Sequence, residues 1–282
     1  MKFIFKGYTL FILLVILTIV SLFIGVSQLS LIDIFHLSDE QINILFSSRI
    51  PRTVSILLSG SSLALSGLIM QQMMQNKFVS PTTAGTMEWA KLGILMSLLF
   101  FPNGPILIKL LFAVVLSIVG TFLFVQLINL IRVKDVIFVP LLGIMIGGIL
   151  SSFTTFVALR TNALQSIGNW LTGNFAVITS GRFEVLYLTI PLLILAFVFA
   201  NHFTIAGMGK DFSHNLGVSY EKIIKIALFI TATLTALVVV TVGTLPFLGL
   251  IVPNIISIYR GDHLKNALPH TLMLGAIFVL IA

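Results

Sequence analysis

Three kinds of chemistry could be sought in this chain, and its residues are spaced for none of them. The five histidines, His36, His202, His214, His263 and His270, show no His-Glu-x-x-His pairing, and there is no cysteine. A metal centre needs such ligands converging at short spacing, so none is expected. A serine nucleophile would want a Gly-x-Ser-x-Gly turn beside a base, and Gly60-Ser61-Ser62-Leu63-Ala64 does not meet that pattern. A phosphate-cradling loop would read Gly-x-x-x-x-Gly-Lys-Ser/Thr, whereas Gly207-Met208-Gly209-Lys210 lacks both the spacing and the hydroxyl. Any ATP hydrolysis must fall to another chain. No catalytic residue and no cofactor are expected.

What remains is recognition. The run Asn201–Lys225, NHFTIAGMGKDFSHNLGVSYEKIIK, is the longest polar stretch in an otherwise apolar chain. Gly207, Gly209 and Gly217 bracket Lys210, Asp211, Phe212 and Leu216. Phe212 and Leu216 stand four apart, which gives one apolar edge to a helical turn or two. Such an edge suits insertion into a groove on a partner, while an ordinary solvated connection would carry the same charges. Arg49 and Arg52 form a second group. Their stems can snorkel toward lipid headgroups, or their planar forks can grip carboxylates bidentately.

These groups have to be positioned by apolar elements. The chain has 282 residues, 58% hydrophobic and only 9% charged, against about 25% charged in soluble proteins. A polytopic membrane protein follows. At about 20 residues per crossing, nine runs are expected to span. They are Tyr8–Val26, Thr53–Met74, Trp89–Phe101, Ile106–Ile131, Val136–Leu159, Phe183–Ala200, Ile226–Val242, Leu245–Tyr259 and Ala267–Ala282. The first is preceded by Lys2 and Lys6. Gly25-Val26-Ser27 has the spacing of a cleavage site, but the run is longer than a signal peptide's, so a retained span is expected. Ser27–Ser48, with Asp33, Asp39 and Glu40, reads as an external loop with a short interfacial helix.

With the N-terminus inside, eleven basic residues fall inside: Lys2, Lys6, Lys77, Lys91, Arg132, Lys134, Lys210, Lys222, Lys225, Arg260 and Lys265. Five fall outside: Arg49, Arg52, Lys109, Arg160 and Arg182. That asymmetry obeys the positive-inside rule and places the 202–222 loop in the cytoplasm. It also accounts for the net charge of +7 without nucleic acid.

Pro81, Gly85, Pro246, Gly249 and Pro253 interrupt apolar stretches, and Ala163–Phe175 is a half-length segment with Trp170. Broken backbone at membrane depth has to be covered by protein or line a cavity. The later spans lack ionisable centres, which argues against a proton- or sodium-coupled carrier. Gly143, Gly147, Ser151, Ser152, Thr154 and Thr155 could instead line a path for a bulky solute. Gly143 and Gly147 equally form a Gly-x-x-x-Gly packing motif.

Three stretches together resemble one family. They are RIPRTVSILLSGSSLALSGLIMQQMMQNKFVSPTTAGT (Arg49 to Thr86), GMGKDFSHNLGV (Gly207 to Val218) and VGTLPFLGLIVPNIISIYRGDHLKNALPHTLMLGA (Val242 to Ala276). They are similar, in order, to the permease family of binding-protein-dependent ABC importers for iron–siderophores, haem and cobalamin. Within it, NKFVSPTTAGT and GMGKDF look closest to Gram-positive permeases for catecholate siderophores of the petrobactin type. The resemblance implies that Arg49 and Arg52 dock an extracellular substrate-binding lipoprotein. It implies that Gly207, Gly209, Lys210, Asp211, Phe212, Leu216 and Gly217 couple the chain to cytoplasmic ATP-binding subunits. A second permease, identical or paralogous, and ferric siderophore complete the expected partners, in a plasma membrane whose lipid surrounds them.

The chain departs from the family pattern at three places. Lys210 stands where an acid is usual, Ser213 replaces an alanine, and Asn254 follows Pro253 where a histidine is usual. The family has a tenth span, whereas this chain ends within its ninth, so a C-terminal helix is expected to be missing. The expectation is an all-α permease, one transmembrane domain over residues 1–282. The competing expectation is an ion-coupled secondary transporter or channel.

Overall fold

The computed structural model describes residues 6–24, 38–131 and 135–282, leaving out the side chains of 169–171. Among the described residues every regular element is helical. Lys2, the Gly25–Ser27 spacing, Asp33, His36, Arg132 and Lys134 lie outside them, as does the Trp170 side chain.

In chain order the helices are α1 (Gly7–Phe23), α2 (Asp39–Ile44), α3 (Ile50–Met73), α4 (Thr86–Phe100), α5 (Ile106–Leu130), α6 (Phe138–Arg160) and α7 (Leu164–Leu171). There follow α8 (Thr189–Val198), α9 (Ala200–Ala206), α10 (Lys210–Asn215), α11 (Tyr220–Thr241), α12 (Leu248–Arg260) and α13 (Leu264–Ile281). All nine expected runs fold as helix in whole or in part. Five described helices are long and apolar enough to cross a bilayer alone, or six if the bent 183–206 pair counts as one. The expected nine crossings are therefore not reached by length and composition. At 17, 15 and 13 residues, α1, α4 and α12 are short for a 30 Å core.

Helix α3 is the axis of the bundle, and its small residues explain why. Ser55, Ser59, Ser62 and Ser66 recur every three or four residues and are all buried. Two of the hydroxyls turn back on their own helix: Ser59 Oγ donates to the Ser55 carbonyl at 2.5 Å and Ser66 Oγ to the Ser62 carbonyl at 2.8 Å. Polar side chains thereby lie flat, and neighbours pack against a smooth face. Glycines deepen the contact. A β-carbon added at Gly60 would come within 2.6 Å of the Gly275 carbonyl oxygen on α13, and one at Gly67 within 1.7 Å of the Gly249 oxygen on α12.

The Gly249 carbonyl is free to serve that contact because Pro253, four residues on, has no N–H to offer it. Pro253 was expected to break its span, yet α12 runs through it from Leu248 to Arg260. The break falls earlier, at residues 243–247, where Gly243 and Phe247 have positive φ.

Ser27–Ser48 was expected as an external loop with a short interfacial helix; residues 27–37 lie outside the described ones, and a short helix is present, α2, started at Asp39 by a reciprocal capping box between Ser38 and Gln41. A π-helical turn, Leu45–Arg49, then joins α2 to α3 without a break. The sixth run begins as 3-10 turns at Phe183–Leu188, continues as α8, and bends by 59° into α9.

Pro81 and Gly85 do mark irregular backbone, and it is covered by protein as required. Residues 79–81 and 83–87 are all buried. Thr83 Oγ1 receives the Ser80 N–H at 2.8 Å and can donate to the Phe78 carbonyl at 3.0 Å, while Asn76 Nδ2 donates to the Val136 carbonyl at 2.8 Å. Beyond this loop α4 packs tightly on α5, with Trp89 seated at Gly120 and Gly93 at the Phe112–Ala113 backbone. The outer faces of α5 and α6 stay exposed. Leu107, Leu111, Val115, Val119, Leu123 and Leu127 form a stripe four residues apart along α5.

Candidate functional site

The polar run is more ordered than a loop. Helix α9 carries it to Ala206 and α11 resumes at Tyr220, leaving α10 as a separate element between two turns. Gly209 enters α10 with φ +110°, and Asp211 lies in the first turn, where a carboxylate suits the helix dipole. The exit is a Schellman closure around Gly217 at φ +71°. The Gly217 N–H bonds the His214 carbonyl at 3.0 Å, and the Val218 N–H bonds the Ser213 carbonyl at 2.9 Å.

Ser213, where the resembled family has alanine, is fully buried, and its hydroxyl lies 2.8 Å from the Gly209 carbonyl and 3.2 Å from that of Ile205. The substitution therefore locks α10 onto α9. Lys210 faces Glu221 at 3.5 Å across the open side. Phe212 and Leu216 end on the outer surface, 47% and 55% exposed. The sequence-derived apolar edge exists, and the fold turns it outward.

The segment is anchored to the axis helix. Gly207 sits against the Gln72 side chain and Gly209 near Gln75, both at the end of α3. Next to them, Lys77, Ser257 and Asp262 converge. Lys77 forms an ion pair with Asp262 and lies 2.8 Å from Ser257 Oγ, which also bonds Asp262. Partial burial pushes the Asp262 carboxyl up, but hydrogen bonds from Lys77 and Ser257 together with the Lys77 charge outweigh it, so the group sits below the usual aspartate range. Asn254 Nδ2 donates to the Lys77 carbonyl at 2.9 Å. This departure from the family pattern ties α12 to the turn after α3.

The arginine pair divides. Arg49 is only 5% exposed, and its Nη1 donates to the Leu22 carbonyl at 3.1 Å. It was expected as an exposed docking group. Instead the π-helical turn rotates it onto α1, where it caps the end of that helix. Arg52 is half-buried one turn further on. The 173–182 strand of turns covers the same end: Ser180 N–H bonds the Ser47 carbonyl at 3.1 Å, and the Asn174 N–H bonds Val242 at 3.0 Å.

The candidate path residues also divide. Gly143 and Gly147 are buried against the 83–88 region: a β-carbon at Gly143 would lie 2.0 Å from the Thr83 carbonyl oxygen, and one at Gly147 3.5 Å from Glu88 Cγ. Both pack on that region. Ser152 and Thr155 are exposed and Ser151 half-buried on the outer face, with Ser152 and Thr155 bonded to the carbonyls of Gly148 and Ser151. Thr154 is buried.

Sequence reasoning missed one pair. Lys91 was counted as a cytoplasmic orientation charge, yet it is 8% exposed inside α4 and bonds Glu88 at 2.8 Å. The i,i+3 spacing of opposite charges in an apolar run was the available signal.

Helices too apolar for water, packed through glycine and serine and carrying an ordered polar handle at one end, define a multi-pass membrane protein. The chain belongs to the FecCD transport family, which matches residues 13–282. It is 55% identical over 271 residues to the petrobactin import system permease protein YclN of Bacillus subtilis, covering 96% of this chain and 86% of that one. It is 38% identical to the petrobactin import system permease protein FatD of Bacillus anthracis, covering 94% and 77%. The fold matches a solved inward-facing ABC transporter of the metal-chelate type, with a TM-score of 0.81 at 24% identity over 98% of this chain and 88% of that one.

Proposed function

We propose that this chain is the membrane subunit through which a ferric siderophore of the catecholate, petrobactin-like type enters the cell, with its N-terminus and the α10 end in the cytoplasm. The observation that carries the reading is α10 itself, a glycine-bounded helix that holds Phe212 and Leu216 in the open. Exposing two large apolar groups beside a salt bridge is costly unless a partner groove receives them, and an ATP-binding subunit is the expected owner of that groove. Movement of α10 would reach the axis helix through Gly207 on Gln72. At the opposite end a chelate-loaded lipoprotein would meet Arg52, with Arg49 holding the helix that presents it. A second permease would face the outer side of α6, with Ser151, Ser152 and Thr155 along the path. Names of the relatives supply the substrate class.

A carrier driven by an ion gradient is the second reading, and the Glu88–Lys91 pair is the observation that favours it. The pair neutralises itself and lies against Gly147, which suits packing better than ion traffic.

The deciding experiment is a mild-detergent pull-down of the tagged chain from its native membranes, paired with uptake of radiolabelled ferric petrobactin. Recovery of a P-loop subunit and ATP-dependent uptake are expected. A chain recovered alone that transports under an ion gradient would replace this reading with the carrier.

A further inference from the structure

We infer that the groove between α5 and α11 beside Lys210 is a binding site for an anionic phospholipid, its phosphate held by Lys225 and the amides of α5. The inference rests on the orientation proposed above, which puts this end at the leaflet richest in anionic lipid.

The groove encloses about 510 Å³. Gln126 and Asn129 of α5 form one wall, three residues apart on the last turns of a 25-residue helix. Both are exposed and neither amide has a hydrogen-bond partner among the described residues. Their neighbours Leu123, Leu127 and Leu130 are exposed leucines, so these amides sit where the apolar stripe of α5 gives way to headgroup depth. Phe122 and Leu228 make the groove's apolar floor one to two turns deeper.

Lys225 decides the ligand class. Its ammonium has no partner among the described residues, whereas Lys77, Lys91 and Lys210 each face a carboxylate. Glu221 also lines the groove, but its carboxylate faces Lys210. Lys225 lines a second, almost wholly apolar trough of about 390 Å³ on the other flank of α11, with Leu195, Phe199, Ile226 and Phe229. One cation thus stands between a groove with a polar rim and an apolar trough. A phosphate headgroup with two acyl chains, one on each flank of α11, satisfies all three features. Free phosphate would leave both apolar surfaces uncovered.

Such a lipid would brace α11 against α5 next to Lys210, and therefore next to the α10 handle.

The test is native mass spectrometry of the permease, with the partners that co-purify, released from nanodiscs of mixed phosphatidylglycerol and phosphatidylcholine. The wild type should keep phosphatidylglycerol through a delipidation that strips phosphatidylcholine. Lys225→Ala should retain about fivefold less, since a basic residue near the membrane surface contributes roughly that factor. Gln126→Leu with Asn129→Leu should also lose it, and this second variant decides the matter if the first misfolds. Lys225→Arg and Lys222→Ala, the latter lining neither groove, should keep it. Equal retention by wild type and Lys225→Ala would overturn the site. Displacement by millimolar inorganic phosphate would reassign it to a free anion and overturn the lipid. Lipid retention without any co-purifying ATP-binding subunit would condemn the functional reading alone, and the reverse result would condemn only this one.

Discussion

A single β-carbon decides whether this bundle closes. Gly67→Ala would drive a methyl group into the Gly249 carbonyl of α12, and nothing on either backbone can yield without moving a helix. The expected cost is about 1–3 kcal/mol, visible as a lowered melting temperature in detergent. Gly148→Ala, where a β-carbon meets nothing within 4 Å, should melt with the wild type. The arginines separate in the same way. Arg49→Ala should destabilise the protein by about 1–3 kcal/mol, because the Leu22 carbonyl at the end of α1 loses a charged donor. Arg52→Glu should leave melting unchanged and weaken capture of the binding protein at least about tenfold, the loss expected when a gripping cation becomes a repelling carboxylate. Equal melting of the two variants would remove Arg49's structural role.

At the scale of the element, α10 is built to be rigid and to offer an edge. Leu216→Asp keeps the helix, since the side chain is already exposed, and should weaken association with the ATP-binding subunit at least about tenfold in a pull-down titration. Gly217→Ala acts differently: it forces a left-handed residue to carry a β-carbon, costing roughly 1 kcal/mol, while Gly217→Asn should be tolerated better. The Lys77–Asp262 pair next to it is half-exposed, so its worth is at most about 1 kcal/mol. Its sign with pH is fixed. The Asp262 carboxyl is held below its unfolded value, so the stabilisation is full above about pH 4 and fades as acid protonates the group. The melting difference between wild type and Asp262→Asn should therefore be present at pH 7 and shrink as the pH falls below 4.

For the whole molecule the expected energy source is ATP on partner subunits. In intact cells, uptake should stop on ATP depletion and continue when an uncoupler collapses the proton gradient while ATP is maintained. Glu88→Gln together with Lys91→Met should not change that dependence, because the two charges pair with each other within α4 and face a glycine seam. Uptake that follows the gradient would return the pair to the centre of the mechanism.

The sequence by itself determined the class of molecule: too little charge for water, nine apolar runs, small residues at helix-contact spacing, and one glycine-bounded handle. These features are local. They follow from transfer free energies and from φ values that only glycine adopts readily, and neither needs a partner element to be read. Only the tertiary structure decided the sides. Gly143 and Gly147 read equally as path-lining or packing positions, and the structure packs both against the 83–88 region. Arg49 could have been exposed, and one π-helical turn swung it onto α1. Lys91 counted as an orientation charge until α4 buried it with Glu88. For the glycines and Arg49 the neighbour that fills the space lies tens of positions away, beyond any pattern that spacing can carry, whereas Lys91 has its partner three residues off and only its burial needed the fold.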